Sequence, residues 1–384
     1  MKASVPLVRR HEVVIVGGGT VGITVAARLR HAGVTDVAVL EPSERHYYQP
    51  LWTLVGAGLA RPERTVRGEA GVIPKGVTWI RQAAAAVDPQ TATVTLTDGS
   101  ALEYGFLVMA PGLQLNFDTV PGLTEALGRD GVCSNYRLDL APATWNFIRQ
   151  TRSGTALFTM PPGPVKCAGA SQKIAYLAAD WWRRQCVLAD MRVILALPAA
   201  AMFSQPAWGE VLRGIAAGYG IEVRHDTRLV EVDGPRPSRR LAGRHHRHQG
   251  DPRGLDDARR ATAERPDWVK ASPLADPDSP FGYVEVDQYT QSRRWPNVFA
   301  LGDVVNLPTY KTGAAIRKQA PVVVTNLLAA RRGASPRARY DGYTSCPLVT
   351  AHNRMMLAEF DYTLMRPSDP ATQLPVDRHH AAPL

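Results

Sequence analysis

Residues 12–22 read Glu-Val-Val-Ile-Val-Gly-Gly-Gly-Thr-Val-Gly, a buried strand that runs into a glycine-rich turn, and a helical run rich in Ala and Arg follows over 23–31. In such a unit Gly17 permits the tight turn, Gly19 lets the backbone approach a pyrophosphate, and Gly22 lets the helix lie close to the strand. Free N–H groups and the dipole at the helix start favour an anion. The stretch predicts a dinucleotide-binding Rossmann unit.

A second strand, Val37–Leu40, supports this interpretation because it ends at Glu41. That acid lies about 20 residues beyond the last glycine, where a carboxylate binds a ribose hydroxyl. The alternative is a glycine turn with no ligand. The strands, the helix and the acid together favour a nucleotide.

The choice between FAD and NAD depends on a stretch much farther along the chain. Residues 297–303 read Asn-Val-Phe-Ala-Leu-Gly-Asp, a short strand ending in Gly302-Asp303. They resemble the second FAD fingerprint of the glutathione-reductase-like flavoproteins. The resemblance implies that Asp303 binds the ribityl chain of the flavin, and a turn or N-cap aspartate is the alternative.

A third piece of the same family pattern lies between these two. The strand Phe106–Ala110 is followed by Pro111-Gly112, which resembles the family's crossover out of the FAD domain. Three separated pieces in the family's order predict FAD as the ligand.

A second Rossmann unit is expected after the strand Thr155–Met160. Residues 161–170 read Pro-Pro-Gly-Pro-Val-Lys-Cys-Ala-Gly-Ala, without the glycine pattern of a nucleotide turn. Three prolines remove three backbone N–H donors and fix φ at each position. We therefore expect no bound pyridine nucleotide here, so the reductant differs from NADH.

The four cysteines are too few and too scattered for a disulfide scaffold, and none has a metal-ligand spacing. Cys167 follows Lys166 in a Pro/Gly loop before a helix, a setting that favours thiolate, with a buried structural thiol as the alternative. Cys346 precedes Pro347, and its own context leaves both interpretations open. Cys133 and Cys186 are interpreted as structural, and Cys186, which follows Trp181-Trp-Arg-Arg-Gln185, is expected late on a surface helix.

Four stretches resemble the sulfide:quinone oxidoreductases of the type shared by mitochondria and many bacteria. They are 46–52 (His-Tyr-Tyr-Gln-Pro-Leu-Trp), 164–170, Asn306-Leu-Pro-Thr309 with Lys311-Thr312, and 340–349 (Tyr-Asp-Gly-Tyr-Thr-Ser-Cys-Pro-Leu-Val). The chain departs from the family pattern at Ser171 and Tyr310. The resemblance extends over nearly the whole chain except about 234–265 and the last dozen residues.

This resemblance implies a redox pair formed by Cys167 and Cys346, which flank the flavin in the family. In the family the two cysteines are joined as a disulfide or a sulfur-bridged form. Hydrosulfide attacks the Cys346 sulfur of this bridge, leaving a persulfide there and a thiolate on Cys167, and two electrons then pass through FAD to a quinone. A small thiol or sulfite removes the sulfur. The resemblance also assigns Gln49, Lys311 and Thr312 to the cofactor site. Lys311 and Thr312 are expected at a helix start and to face the flavin pyrimidine edge.

Other branches of the superfamily bond FAD covalently through a cysteine near the position of Cys133. The resemblance therefore keeps a flavin contact open for Cys133 as an alternative to its structural role.

The formal charge of +10 resembles a nucleic-acid footprint, but half of it lies in residues 234–265, with nine Arg against four acidic residues. We therefore expect no nucleic-acid partner. The low apolar content of this segment predicts a disordered surface loop. A metal loop around Arg244-His-His-Arg-His248 is the alternative, and without supporting ligand spacing we expect no metal.

The ends of the chain bear on membrane association. The first ten residues lack the form of a signal peptide, and no apolar run is long enough to span a bilayer. After Tyr362 the family continues through an amphipathic, aromatic tail, whereas four prolines interrupt this chain. We expect a cytoplasmic or peripheral membrane protein that binds a membrane surface only weakly, if at all.

The predicted fold is α/β: a tandem Rossmann-like, glutathione-reductase-like FAD domain with an inserted second dinucleotide-fold domain. The FAD domain comprises residues 8–114 and 291–332, the inserted domain 115–290, and a shortened C-terminal segment 333–384. The predicted function is FAD-dependent oxidation of sulfide to sulfane sulfur with a quinone as electron acceptor. A type II NADH:quinone oxidoreductase and a catalytically impaired FAD-binding homologue are the alternatives.

Overall fold

The computed structural model of the protein describes residues 9–163, 165–167, 169–233, 238–243, 263–363 and 373–375. The described residues form two compact units. One lies within Met1–Tyr48, Val66–Gln114 and Glu264–Thr344, and the other within Gln49–Thr65, Leu115–Ala263 and Ser345–Leu384.

The strands and helices are numbered in chain order. The strands are β1 (Arg9–Val16), β2 (Val37–Leu40), β3 (Arg45–Tyr47), β4 (Val66–Gly68), β5 (Thr78–Ile80), β6 (Ala84–Asp88), β7 (Thr93–Leu96), β8 (Ala101–Met109), β9 (Gln114–Leu115), β10 (Gly154–Thr159), β11 (Met191–Ala196), β12 (Glu222–Arg224), β13 (Thr227–Asp233), β14 (Ser238–Gly243), β15 (Ala263–Glu264), β16 (Val298–Ala300), β17 (Thr344–Ala351), β18 (Arg354–Phe360) and β19 (Gln373–Pro375). The helices are α1 (Thr20–His31), α2 (Trp52–Gly56), α3 (Glu69–Val72), α4 (Leu123–Ala126), α5 (Ala141–Gln150), α6 (Ala170–Arg184), α7 (Pro206–Gly218), α8 (Asp267–Lys270) and α9 (Gly313–Ala330).

The first unit is built on a parallel sheet in the order β5-β2-β1-β8-β16. β7 and β6 extend it in antiparallel pairing beside the first half of β8. All four residues of β2 and the last four of β1 are buried, as expected for parallel strands covered on both faces. α1 and α9 pack on one face through apolar residues that include Val25, Leu29 and Val323.

Because these strands are parallel, their carboxyl ends lie at one edge of the sheet, where ligands of doubly wound α/β folds bind. Gly17 follows β1, Glu41 follows β2, the Ala110-Pro111-Gly112 stretch follows β8, and Gly302-Asp303 follow β16 after Leu301. The sheet thus brings together the residues predicted at separated positions in the sequence.

The second unit contains a smaller parallel sheet in the order β10-β11-β12. Helix α6 connects β10 to β11 and is buried at 12 of its 15 residues. β13 pairs with β14, and β17, β18 and β19 form a separate three-stranded sheet. The strand–turn–helix β10–α6 is therefore the counterpart of β1–α1.

Two sequence expectations need correction. Part of the predicted loop 234–265 is ordered, because residues 238–243 form β14 paired with β13; the centre, 244–262, lies outside the described residues, as does most of the predicted C-terminal tail. Cys186 does not lie late on a surface helix. α6 is mostly buried and ends at Arg184, and Cys186 follows in a turn with a φ of 58°.

Across the described ranges, no helix combines the length and apolar character needed to cross a membrane.

Candidate active site

The glycine turn after β1 has the geometry of a phosphate cradle. Gly17 has a φ of 102°, and a side chain there would collide with the carbonyl of Ala110. A Cβ at Gly22 would collide with the carbonyl of Gly17, so the helix can approach the strand only without one. Around Gly19, by contrast, no atom of the described residues lies within 4 Å of where a Cβ would be. This open space at the start of α1 fits a pyrophosphate.

Glu41 lies directly beside this turn. One of its carboxylate oxygens accepts a hydrogen bond from the Gly18 amide at 2.9 Å, and the other accepts from the Ser43 amide at 2.8 Å. The carboxylate is therefore held at the carboxyl end of β2, in the place predicted for a ribose contact.

A buried acid and histidine lie next to the same turn. Glu69 is 1% exposed, and its Oε2 is 3.6 Å from Nδ1 of His46, which is 8% exposed. Burial, with the nearby charge of Glu41, raises the pKa of Glu69 to about 7. Burial lowers the pKa of His46. Oε1 of Glu69 and Nδ1 of His46 are buried without a hydrogen-bond partner, which fits a polar ligand at this edge.

The stretch after β16 supplies the other side of the predicted cofactor site. Gly302 has a φ of 79°, and its amide donates to Oε1 of Gln319 at 2.8 Å. Asp303 follows in a 3₁₀ turn, Gly302–Val304. Thr312 caps α9, its hydroxyl accepting from the Ala315 amide.

Lys311 is buried in this same unit. Its ammonium donates to the carbonyls of Val305 and Leu307 at 2.8 and 2.9 Å. Burial lowers its pKa to about 8, although the negative charge of Asp303 opposes the shift. With a pKa of about 8, the ammonium of Lys311 is largely charged at neutral pH.

In the second unit, the turn after β10 places Cys167 against Cys346. Cys167 lies in the loop before α6 with a φ of 48°, and Cys346 is the third residue of β17 and 4% exposed. The two thiols are free and hydrogen-bond to each other. A Cβ at Gly169 would lie 3.0 Å from the Cys346 sulfur and 2.6 Å from the Leu348 side chain. Only glycine allows this close approach.

The two thiols are electrostatically unequal. The hydrogen bond from Cys346, with the positive charges of Lys173 and Lys166, holds the pKa of Cys167 well below its usual range, although burial opposes this. The hydrogen bond to Cys167 and burial raise the pKa of Cys346. Within the pair, negative charge is therefore favoured on Cys167 and the proton on Cys346.

Polar contacts fix the loop that carries Cys167. The hydroxyl of Tyr136 donates to the carbonyl of Lys166 at 3.1 Å. The Lys166 ammonium donates to Oε1 of Gln49 and lies 5.6 and 5.7 Å from the ring centroids of Trp52 and Tyr136. Gln49, predicted at the cofactor site, therefore lies in the second unit beside the cysteine loop.

The strand that carries Cys346 is tied to α6 through Asp180. This buried carboxylate accepts from the hydroxyl of Tyr219 at 3.2 Å and from the amide of His352 at 3.1 Å. The same hydroxyl lies 2.9 Å from the carbonyl oxygen of Thr350, so its single proton is shared between the two acceptors. The end of β17 is thereby fixed to the helix that follows Cys167.

The other two cysteines lie apart from this pair in the chain. Cys133 is half-buried, with its thiol 3.5 Å from the carbonyl of Leu140, and burial raises its pKa. Cys186 is exposed. Within the residues that the structure describes, no group of three or more His, Cys, Asp or Glu side chains is arranged to hold a metal.

Comparison with known proteins identifies the family. The family model for pyridine nucleotide-disulphide oxidoreductases matches residues 11–322. The mitochondrial sulfide:quinone oxidoreductase of Dictyostelium discoideum is 39% identical over 375 residues, covering 91% of this chain and 78% of that protein. The Mus musculus protein of the same name is 37% identical over 378 residues, covering 96% and 81%. This chain belongs to the sulfide:quinone oxidoreductase family.

The fold also matches that of a solved structure. The X-ray structure of the sulfide:quinone oxidoreductase from Aquifex aeolicus matches with a TM-score of 0.75 at 17% identity, covering 96% of this chain and 87% of that one. The predicted tandem Rossmann-like α/β fold and the resemblance to sulfide:quinone oxidoreductases are confirmed.

Sequence reasoning about this sulfide:quinone oxidoreductase family member missed Lys173. Its ammonium donates to the Cys167 sulfur at 3.3 Å, and the side chain is 7% exposed. A lysine among the apolar residues of 170–182 was the available signal, since lysine is rarely buried without a partner. Glu69 and Tyr136 gave no comparable signal, because only the folded chain brings them to the two sites.

Proposed function

We propose that this protein oxidises sulfide to sulfane sulfur, held as a persulfide, and passes two electrons through FAD to a quinone. The observation that carries the proposal is the unequal pair formed by Cys167 and Cys346. FAD, when bound, accepts two electrons and returns them to a second substrate. The glycine turn, Glu41, Asp303 and the residues after β8 would hold it.

The residues of the pair have separate roles in this proposal. With the pair oxidised to a disulfide, hydrosulfide attacks the sulfur of Cys346. A sulfur–sulfur bond forms there, the bond to Cys167 breaks, and its electron pair leaves on Cys167 as thiolate. Cys346 then carries the persulfide, and Cys167 is the electron donor. The low pKa of Cys167 supports this direction, because a thiolate of low basicity is the better leaving group.

The sulfur must then leave Cys346. A small thiol or sulfite attacks the outer sulfur of the persulfide, which frees Cys346, and transfer of two electrons from the pair restores the disulfide.

The further cofactor contacts that we propose are Gly302, Gln49, Pro111, Gly112, Lys311 and Thr312. For location, we propose a protein that associates weakly with a membrane surface while it reduces quinone.

NADH is disfavoured as the reductant by the turn after β10. In β1–α1 the turn leaves open space around Gly19, whereas Pro161 and Pro162 have no N–H to offer a phosphate in the corresponding turn. This observation argues against a type II NADH:quinone oxidoreductase.

Anaerobic mixing of the FAD-loaded protein with micromolar sulfide or with NADH tests the proposal. We expect sulfide to bleach the visible flavin absorbance and NADH to leave it unchanged, and catalytic reduction of a short-chain quinone to require sulfide. Bleaching by NADH at an equal or greater rate would contradict the assignment. No bleaching by either reductant would identify an impaired homologue.

A further inference from the structure

Lys173 is an unusual lysine because it is almost completely buried. It lies in the first turn of α6, a helix buried at 12 of 15 positions, and only 7% of its surface is exposed. A buried ammonium is strongly unfavourable unless an anion or several acceptors compensate it. Its hydrogen-bond partner is the sulfur of Cys167 at 3.3 Å. The position of this cation therefore depends on charge at Cys167.

The charged and titratable groups around this sulfur come from four parts of the second unit. Cys346 approaches from β17, Lys166 from the loop and Lys173 from α6. Tyr136 is the fourth group, and its pKa is raised mainly by burial and further by the charges of both thiols. Among the described residues, the groups that act electrostatically on Lys173 are the two thiols, and no carboxylate is among them. Despite burial, these thiols raise the pKa of Lys173, so the ammonium stays charged.

We propose that Lys173 is the positioning cation that makes Cys167, rather than Cys346, the leaving thiolate in sulfur exchange. This inference rests on the proposed function. When hydrosulfide bonds to the Cys346 sulfur, the disulfide bond breaks, and its electron pair is received by Cys167 next to the fixed ammonium. No proton needs to move, since the hydrosulfide proton stays on the persulfide. Attack on Cys167 would instead leave the charge on Cys346, which is more deeply buried.

Lys173 differs from Lys166 in its exposure to solvent. Lys166 is half-exposed and shares its ammonium with Gln49 and two aromatic rings. A buried charge acts through a lower effective dielectric constant than a solvated one, so its effect on the neighbouring thiol is larger. Lys166→Met is therefore a matched control for Lys173→Met.

The direct test is the pH profile of Cys167 alkylation by iodoacetamide in the reduced, FAD-loaded protein, followed by peptide mass spectrometry. In Lys173→Met we expect the midpoint of Cys167 alkylation to rise by at least one pH unit. At a pH below the wild-type midpoint, this corresponds to about a tenfold smaller thiolate fraction than in wild type. Lys173→Arg should restore most of the shift, and Lys166→Met should change it less. An unchanged midpoint in Lys173→Met would overturn the proposal.

A second measurement does not depend on how well a Lys173 variant folds. In Cys346→Ala the thiol hydrogen bond to Cys167 is removed and Lys173 is kept. We expect the Cys167 midpoint to stay at least about one unit below the free-cysteine value of roughly 8.5. A return to that value would show that the hydrogen bond from Cys346 alone lowers the pKa of Cys167, and would refute the role of Lys173.

Rapid mixing with sulfide tests whether the pKa of Cys167 affects the rate of flavin reduction. Lys173→Met should bleach at least about tenfold more slowly at unchanged FAD content, with the deficit decreasing as pH rises toward the new midpoint. Absence of bleaching in the wild-type protein would instead refute the proposed function. The alkylation profiles still decide the role of Lys173 in that case, because they use no sulfide.

Discussion

The turns after β1 and β10 join a parallel strand to a helix in the same way, yet they differ in every group they present. The first has Gly17 at positive φ and open space around Gly19. The second has two prolines that begin two residues after the last residue of its strand, and it places Cys167 at positive φ beside a buried lysine. One supersecondary unit thus offers either amides to a phosphate or a cation to a thiolate, and the turn residues decide which.

The two turns also differ in the charges that surround them. Carboxyl groups lie at the first turn, Glu41 and Glu69, whereas Lys166 and Lys173 lie at the second. Burial and the charge of Glu41 raise the pKa of Glu69, and a pyrophosphate beside it would favour the neutral acid further. The nucleotide turn is therefore lined by carboxyl groups, and the sulfur turn by positive charge.

The largest expected effect comes from the sulfur turn. Cys167→Ser and Cys346→Ser should each lower the rate of sulfide bleaching by at least about a thousandfold, because the two thiols act as one exchange unit. FAD content should stay unchanged, since neither residue belongs to the unit with the glycine turn. Anaerobic stopped-flow absorbance measures both quantities.

Cys186→Ser is the control for this pair and should behave like wild type. The double variant should lose no more than either single one. A Cys346→Ser protein with full activity would show that one thiol is sufficient.

The nucleotide turn is tested by Gly19→Ala. The φ of −60° suits alanine and no protein atom lies near the new methyl group, so folding should be preserved. The methyl group would instead occupy the space for the pyrophosphate, and we expect FAD affinity to fall at least about tenfold. Fluorescence titration of the apoprotein with FAD measures this change.

Gly214→Ala is the matched control, because its Cβ also meets no atom within 4 Å. That change lies inside α7 and should increase stability slightly while FAD affinity stays the same. Equal FAD affinity in Gly19→Ala and wild type would show that no phosphate approaches this turn.

The charge contrast predicts a pH effect at Glu69. Its folded-state pKa of about 7 lies above the ordinary value of 4.5. The stability contribution of its protonated form is complete below the ordinary value and is lost as pH rises through 7. In Glu69→Gln the melting temperature should therefore fall less between pH 5 and pH 8 than in wild type, as measured by calorimetry.

Glu44→Gln, at an exposed carboxylate, should keep the wild-type profile. Parallel melting profiles for Glu69→Gln and wild type would mean that Glu69 is ionised throughout this range.

The smallest effect is expected at the contact between α6 and β17. Tyr219→Phe removes the hydroxyl that joins Asp180 to the carbonyl of Thr350. Loss of this bond should reduce the free energy of unfolding by about 1 to 2 kcal/mol. Urea denaturation measures it, with Tyr289→Phe, at an exposed hydroxyl contact, as the control. An unchanged free energy of unfolding would mean that the hydrogen bond from the His352 amide to Asp180 is sufficient to hold the strand to α6.

Much of this comparison could be predicted from the sequence. The strand Val37–Leu40 was predicted with the observed bounds, and Thr312 was expected at a helix start, because local patterns determine both. Lys173 could not be found in this way, since its burial depends on the packing of α6 within its unit. The pair of Cys167 and Cys346, 179 residues apart in number (346 − 167), came from resemblance and not from any local signal.

The contact of Asp180 with the end of β17 has a consequence for strand register. Side chains along a strand alternate between its two faces, so a slip of one residue would turn Cys346 away and present Ser345 or Pro347 to Cys167. Asp180 and Tyr219 hold the strand at His352 and Thr350, several residues from the sulfur. Contacts several residues from Cys346 therefore fix the alignment of the two sulfur atoms, and bond exchange at Cys346 does not break these contacts.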